Sequence, residues 1–413
     1  MSPSQIYVGI ALTVVLAVAC QILAARFRFP AILLLLPVGF AAGALVDSVN
    51  PQTMFGAAFE PLVSLAVAII LFDGGLELDL GELSRDTGVV VRRLLWLGIP
   101  VTWGGAALFA GLLFGMSIEA AVMLGAILIV SGPTVVGPIL EHATPGRRLT
   151  VVLTHEGTAV DPIGALIGVV VYQILITHHS HRVARGLIGF TGRLGIGLLG
   201  GAIGIAVLWV LLTKMRLSGA LAAEAILATV LAVAGLCDAL VRDTGLVAAI
   251  AMGMVIANVS GVDLPEDRKQ LKTMVQLTTG ILFISISATV SPASLRGAIW
   301  ASAALVVLLV LVVRPLVALV ATFATGLPAN ERIFVAAMHP RGIIAASTAS
   351  GFAAPLVALG IDGASKILPV TFLVIVGTAA VYGLGAPPLA TALGLPEVDG
   401  EDRPEEHLEE HPD

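Results

Sequence analysis

The chemistry this chain can do lies in ionisable residues embedded in long apolar runs. The run over 149–176 carries Thr154-His155-Glu156-Gly157-Thr158-Ala159-Val160-Asp161-Pro162. At about 100° per helical residue, Thr154, Thr158 and Asp161 share one face. A carboxylate flanked by two hydroxyls offers only oxygen, the ligand a hard monovalent cation prefers. Pro162 frees a backbone carbonyl one turn earlier, beside the same stripe. Glu156 points to nearly the opposite face, which gives it a different task. Inside a bilayer an ionised side chain costs about 2.5–3.5 kcal/mol on insertion scales, so each needs a partner or a function.

Two further runs are interrupted by Gly and Pro at the same depth. One contains Ser131-Gly132-Pro133-Thr134, followed by Gly137-Pro138. The other contains His339-Pro340-Arg341-Gly342, followed by Ser350-Gly351 and Pro355. Non-helical backbone at membrane depth is tolerated only where protein buries it or a cavity faces it. Paired interruptions in two halves of a chain point to a transport site. Arg341 keeps its proton and needs a counter-charge. Glu156 is the natural partner, as a clamp orienting both interruptions; the alternative is that Arg341 caps carbonyls of its own broken helix. Arg314, before Pro315, either snorkels to an interface or pairs with an acid. Asp73, in Leu71-Phe72-Asp73-Gly74-Gly75, either lines an inner funnel and attracts cations or is an interfacial acid. Glu224 and Asp238 read as structural or interfacial. His178, His179 and His181 read as a solvated loop, and Cys20 and Cys237 as buried thiols. There is no phosphate loop, nucleotide fingerprint or zinc-protease spacing, so no cofactor is expected. No nucleophile shares a helical face with a base, which argues against a hydrolase.

The elements that must position these residues follow from composition. The chain has 413 residues, 57% hydrophobic and 12% charged, with a mean hydropathy of +1.01. A soluble domain is roughly 25% charged. Half that charge cannot clothe a water-facing surface, which excludes a soluble protein, a disordered chain and a nucleic-acid binder. The sequence predicts an all-α polytopic membrane protein with about thirteen spans, at 6–25, 30–46, 61–78, 89–114, 119–142, 149–176, 186–212, 220–241, 245–259, 272–290, 297–325, 331–355 and 366–393. The transmembrane domain covers 1–396. Residues 6–176 and 220–393 form inverted repeats joined by a linker helix at 186–212. Residues 397–413, rich in Glu and Asp, form a disordered cytoplasmic tail. Basic residues cluster in alternate loops: Arg26 and Arg28; Arg85, Arg92 and Arg93; Arg147 and Arg148; Lys214 and Arg216; Arg268, Lys269 and Lys272; and Arg332. Cytoplasmic loops carry such charges, so the N-terminus lies outside and the C-terminus in the cytoplasm.

These residues resemble the NhaP-type monovalent cation/proton antiporters over almost the whole chain, to about Leu393. The resemblance implies an NhaA-like fold of thirteen helices with two crossing broken helices, and a homodimer in the plasma membrane. The family's sixth helix reads Glu-Ser-x-x-Asn-Asp; the matching positions are Glu156, Gly157, Val160 and Asp161. Asp161 would be the carboxylate that binds cation or proton. Glu156 would pair with the arginine of the twelfth helix, matched by Arg341. The family's Thr-Asp-Pro corresponds to Ser131-Gly132-Pro133, and Asp73 to an acid of the third helix. Three polar groups of the family's site are replaced, by Val160, Gly157 and Gly132; Thr158, Thr154 and Thr134 are the substitutes at hand.

The mechanism expected is competition. A buried carboxylate is neutralised by a cation or by a proton, one excluding the other. The site would change sides only when loaded with one of them, which makes exchange of Na+ or K+, with Li+ as a further substrate, for H+ obligatory. With no second acid at position 160, one proton moves per cation and transport is electroneutral. The alternative is a sodium-coupled symporter for an organic anion on a similar fold. A solute site of that kind wants cationic or aromatic groups, and mid-span aromatics are few here. A channel-like or regulatory membrane protein is a third reading.

Overall fold

In a bilayer the backbone finds no water to bond, so an apolar chain satisfies its N–H and C=O groups within helices. The computed structural model describes residues 2–27, 29–78, 85–178, 183–242, 244–259 and 268–395, and among them there are helices and turns but no strand. The acidic stretch 397–413 and His179 and His181 lie outside the described residues. The helices are α1 (Pro3–Phe27), α2 (Ile32–Leu45), α3 (Pro51–Leu76), α4 (Arg85–Phe114), α5 (Ile118–Ile127), α6 (Pro133–Ala143), α7 (Arg147–His178) and α8 (Val183–Trp209). They continue with α9 (Ala220–Leu240), α10 (Thr244–Asn258), α11 (Arg268–Ala288), α12 (Ile299–Ala321), α13 (Ala329–Ala336), α14 (Ile343–Ala358) and α15 (Ile367–Ala392).

Nine of these helices are long and apolar enough to cross a membrane, by length and composition, among the described residues. Four shorter apolar helices accompany them: α2, α5, α10 and α14. The expected spans at 119–142 and 331–355 are not continuous helices. Each is two pieces, α5 with α6 and α13 with α14, because Pro133 and Pro340 lack the N–H that would carry the helix through.

The distribution of polarity is that of a protein whose solvent is lipid. Leu112, Leu198, Leu199, Ile203, Leu311 and Leu319 are exposed, while Glu156, Asp161, Arg314 and Arg341 are buried. Burying charge and exposing leucine would be unstable in water and is the stable arrangement in hydrocarbon. The broken pieces and α7 and α15 pack on one another at the centre. Around them, helices approach through small residues, which allow close van der Waals contact in lipid. Gly39 and Gly43 of α2, spaced as a GxxxG pair, face α11. A Cβ at Gly39 would lie 2.7 Å from Ile284 O, and one at Gly43 would lie 2.5 Å from Ala288 Cα. Gly253 of α10 meets the backbone of Phe72 and Gly75 on α3 in the same way.

Because Gly43 meets backbone rather than a side chain that can swing aside, Gly43→Val should cost about 1–3 kcal/mol or more of stability. The expected reading is a lower thermal unfolding midpoint of the purified protein in detergent. Gly104→Ala, with nothing within 4 Å of the added methyl and a better helix former in place of glycine, should not lower the midpoint.

Candidate ion-binding site

The first interruption is built by a start and a stop. The Ser117 side chain accepts the Ala120 N–H and opens α5, which ends at Ile127. Leu128 and Ile129 close a last turn on Leu124 O and Ala126 O, the chain then leaves the helix, Gly132 is in extended backbone (φ −91°, ψ 156°), and α6 opens on Pro133. A proline in a helix's first turn loses no hydrogen bond. The second interruption runs from Ala337 to Gly342, between α13 and α14. Pro340 disfavours helical backbone at His339, which keeps this stretch open. Leu128, Ile129, Val130, Ser131, Met338, His339 and Arg341 are all buried in the protein. The two interruptions touch: a Cβ at Gly342 would lie 3.3 Å from Gly132 N. The N-termini of α6 and α14 therefore converge, and their partial positive charge favours an anion between or beside them.

The C-terminal ends of α5 and α13 present the opposite problem, carbonyls with no helical donor. Two buried arginines supply donors. Arg341 Nη1 donates to Ile129 O of the other interruption (3.4 Å), and its N–H donates to Thr378 Oγ1 (3.3 Å). Arg314 Nε donates to Val335 O near the end of α13 (3.0 Å). Arg314 also makes a two-pronged ion pair with Glu156, Nη1 to Oε1 at 2.5 Å and Nη2 to Oε2 at 2.8 Å, both residues being 3% exposed. His339 Nδ1 lies 3.8 Å from Glu156 Oε1. The expected partner of Glu156 was Arg341; its partner in the structure is Arg314. The reason is directional. Glu156 faces α12, where a wide turn over Leu309–Val313 precedes Pro315 and presents Arg314, whereas Arg341 is drawn to the carbonyl of Ile129. Arg314 thus pairs with an acid and does not snorkel. Arg341 caps, as the second alternative had it, but on the opposite interruption rather than on its own helix.

Asp161 sits on the other face of α7, 4% exposed, against the first interruption. Contact there is close because the facing positions are glycines. A Cβ at Gly157 would lie 3.1 Å from Ser131 O, and one at Gly132 would collide with Asp161 Oδ2. Four buried oxygens in this region find no hydrogen-bond partner among the described residues: Ser131 Oγ, Thr134 Oγ1, Thr158 Oγ1 and Asp161 Oδ1. A buried polar atom without a partner costs about 1–3 kcal/mol, so four together in a native fold call for an explanation. Thr154, one turn before Thr158, is only partly buried and does not belong to that group. Asp73, buried near the C-terminal end of α3, does not belong to it either. Asp238 has a structural task, accepting from Ser64 Oγ and Gly245 N (both 2.6 Å), and Glu224 is exposed. His155 bonds its ring Nδ1 to Val151 O of its own helix (2.9 Å). Arg314 is the site residue whose role sequence reasoning left undecided. The signal was there, a lone arginine deep in an apolar run, but which acid it meets is a matter of helix packing.

Removing one member of a buried ion pair strands the other and costs about 3–5 kcal/mol, whereas removing both is far milder. Glu156→Gln should therefore lower the unfolding midpoint in detergent strongly, and Glu156→Gln combined with Arg314→Met should recover most of the loss. A double variant as unstable as the sum of its parts would show that the two residues are not coupled.

The geometry invites comparison with known proteins. The K+/H+ antiporter NhaP of Alkalimonas amylolytica is 25% identical over 408 residues, which is 95% of this chain and 67% of that protein. The K+/H+ antiporter NhaP2 of Shewanella sp. (strain ANA-3) is 24% identical over 403 residues, 94% of this chain and 66% of that protein. The chain thus spans about two thirds of the length of these relatives. The structure of the sodium proton antiporter MjNhaP1 from Methanocaldococcus jannaschii at pH 8 superposes with a TM-score of 0.79, covering 95% of this chain and 99% of that one at 19% identity, a likeness of fold. The family model described as sodium/hydrogen exchanger, transmembrane, matches residues 11–392, and on that match this chain belongs to the sodium/hydrogen exchanger family.

Proposed function

We propose that the protein exchanges a monovalent cation, Na+ or K+, for H+ across the plasma membrane, with Asp161 as the group that binds one or the other. The observation that carries this reading is the cluster of buried oxygens, Ser131 Oγ, Thr134 Oγ1, Thr158 Oγ1 and Asp161 Oδ1, that no protein donor satisfies. Oxygens from three hydroxyls and one carboxylate suit a dehydrated alkali cation, and a proton on Asp161 would give the same carboxylate a donor of its own. The relatives named as K+/H+ antiporters support exchange as the activity.

In this reading the ion pair and the site have separate tasks. Glu156 and Arg314 neutralise each other and hold α7 against α12 and α13, so Glu156 does not compete for the cation. Arg341 ties the two interruptions together. Asp161 changes charge. Empty and ionised, it would be costly to carry across the barrier; loaded with a cation or a proton, it is neutral. Position 160 is a valine, so one carboxylate titrates and one proton moves per cation. A symporter for organic anions would need a guanidinium facing its solute; Arg314 is engaged by Glu156, and Arg341 spends Nη1 on Ile129 O, its Nε having no partner among the described residues.

The finer architecture is part of the same proposal. α5 with α6 and α13 with α14 act as the fifth and twelfth of thirteen segments, crossing at their interruptions. Residues 6–176 and 220–393 are the inverted repeats, 186–212 the linker, and the unit is a homodimer in lipid. With the N-terminus outside, a cavity of about 760 Å3 opens to the external face, between the start of α3, the ends of α7 and α9 and the second half of α14. Ser64 and Asp238 line its outer part, Ser347 and Thr348 its inner part, and an ion pair of Glu60 with Arg242 lies at its edge. That cavity is the external approach to the interruptions.

Proton release from everted vesicles on adding Na+, Li+ or K+ tests the activity. Cation-dependent release is expected in the wild type and is expected to vanish in Asp161→Asn at equal expression. Release that survives in the variant would move the site elsewhere. Electroneutrality has its own check: reversing a potassium diffusion potential across the vesicle should leave the exchange rate unchanged.

A further inference from the structure

Gly132 stands where the family pattern has an acid, and its backbone does not explain why. At φ −91° and ψ 156° it is in extended geometry open to any residue. What excludes a side chain is the carboxylate across the interface. A Cβ at position 132 would collide with Asp161 Oδ2 and lie 2.9 Å from Cγ, closer than Cβ atoms approach in packed proteins, and a tight 3.1 Å from Oδ1. No other part of the protein lies that near. The volume of the missing side chain is the volume the Asp161 carboxylate occupies.

Two neighbours show that this is a local device. At Gly157 the added methyl would meet backbone, Ser131 O at 3.1 Å, and at Gly164, one turn beyond Asp161 on α7, it would meet Val130 Cγ2 at 2.7 Å. Those glycines serve packing of α7 on the interruption. At Gly132 the nearest atoms are the end of a flexible, chemically active side chain, which can rotate away and leave the backbone undisturbed. Ser131 and Thr134, on either side of Gly132, and Thr158 and Asp161 on α7 carry the four oxygens without partners.

We infer that Gly132 is a specificity-determining position: its lack of a side chain sets where the Asp161 carboxylate stands relative to the unpartnered oxygens of Ser131, Thr134 and Thr158, and so sets the size of monovalent cation the site accepts. This rests on Asp161 being the exchange carboxylate. A methyl at position 132 pushes the carboxylate off its place and takes up room in the site. The smaller site then disfavours the larger cation more than the smaller one. Gly132 is a positioning residue, acting through Asp161 and touching no ion itself.

The test is a ranking of apparent KM values for Li+, Na+ and K+ in everted vesicles, for wild type, Gly132→Ala and Gly164→Ala, with unfolding midpoints of each purified protein. In Gly132→Ala the ratio of the K+ value to the Li+ value should rise by about tenfold relative to wild type, the scale on which one methyl changes discrimination in a tight site. Gly164→Ala should change stability and maximal rate and leave the ratio as it is. An unchanged ratio in an active Gly132→Ala would overturn the inference, as would an equal change in both variants. If Gly132→Ala folds but does not transport, cation-induced stabilisation of the purified protein, read as the order of midpoint shifts by Li+, Na+ and K+, decides the same question. Failure of the underlying reading looks different: wild type would release no protons on cation addition, or Asp161→Asn would retain release.

Discussion

The structure depends on how two stretches of non-helical backbone survive at membrane depth. Between α5 and α6, and between α13 and α14, peptide groups leave the helical ladder where there is no water to bond them. Their burial is stable only if donors reach the freed carbonyls and if nothing large stands between the strands of chain. Arg341 and Arg314 supply the donors, each to a carbonyl at the end of a helix piece, where cations are also favoured by the helix dipole. Glycines at 132, 157 and 342 supply the clearance. Both requirements are met by residues from different parts of the chain, so the interruptions form only in the assembled fold.

Those arginines bring a charge problem with them, and its solution divides the two carboxylates of α7. Glu156 neutralises Arg314 through two hydrogen bonds, with both partners almost wholly buried. An ion pair of that kind contributes little net stability, because desolvating two charges offsets most of the attraction. Its value here is geometric: it locks α7, α12 and α13 in one arrangement. Five residues along α7, on the far side of the helix, Asp161 has none of this. It lies against Gly132 of the first interruption, next to converging helix N-termini, and its Oδ1 has no hydrogen-bond partner among the described residues. One carboxylate is spent on the scaffold, and the other has no charged partner of that kind.

Small residues recur wherever helices must be close. The Gly39 and Gly43 contact with α11, the Gly253 contact with α3 and the Gly132 contact with Asp161 share a logic: a missing side chain lets another group in. In lipid, where apolar burial gives no drive for helices to associate, such close approach is a main source of attraction. At Gly132 the group let in is a buried carboxylate, so the same device that packs the bundle also places Asp161 against the interruption.

Much of this was legible in the amino-acid order. Low charge and high hydropathy dictate a membrane-embedded helical chain, because a folded surface of that composition is stable only in hydrocarbon. The spacing of Thr158 and Asp161, the interruptions at Pro133 and Pro340, and the cost of burying Glu156, Arg314 and Arg341 all follow from local sequence and from the physics of the bilayer. Three things waited for the tertiary structure. Glu156 meets Arg314 and not Arg341, since partner choice depends on which helix faces which, and periodicity gives faces but not neighbours. Thr154 falls outside the group of unsatisfied oxygens, since sharing a face with Asp161 says nothing of depth. The room Gly132 leaves for the Asp161 carboxylate, 29 residues along the chain, exists only once α7 is packed against the interruption. Local sequence determines what each segment is; only packing decides what each side chain touches, because contacts between segments are set by the shapes of all of them at once.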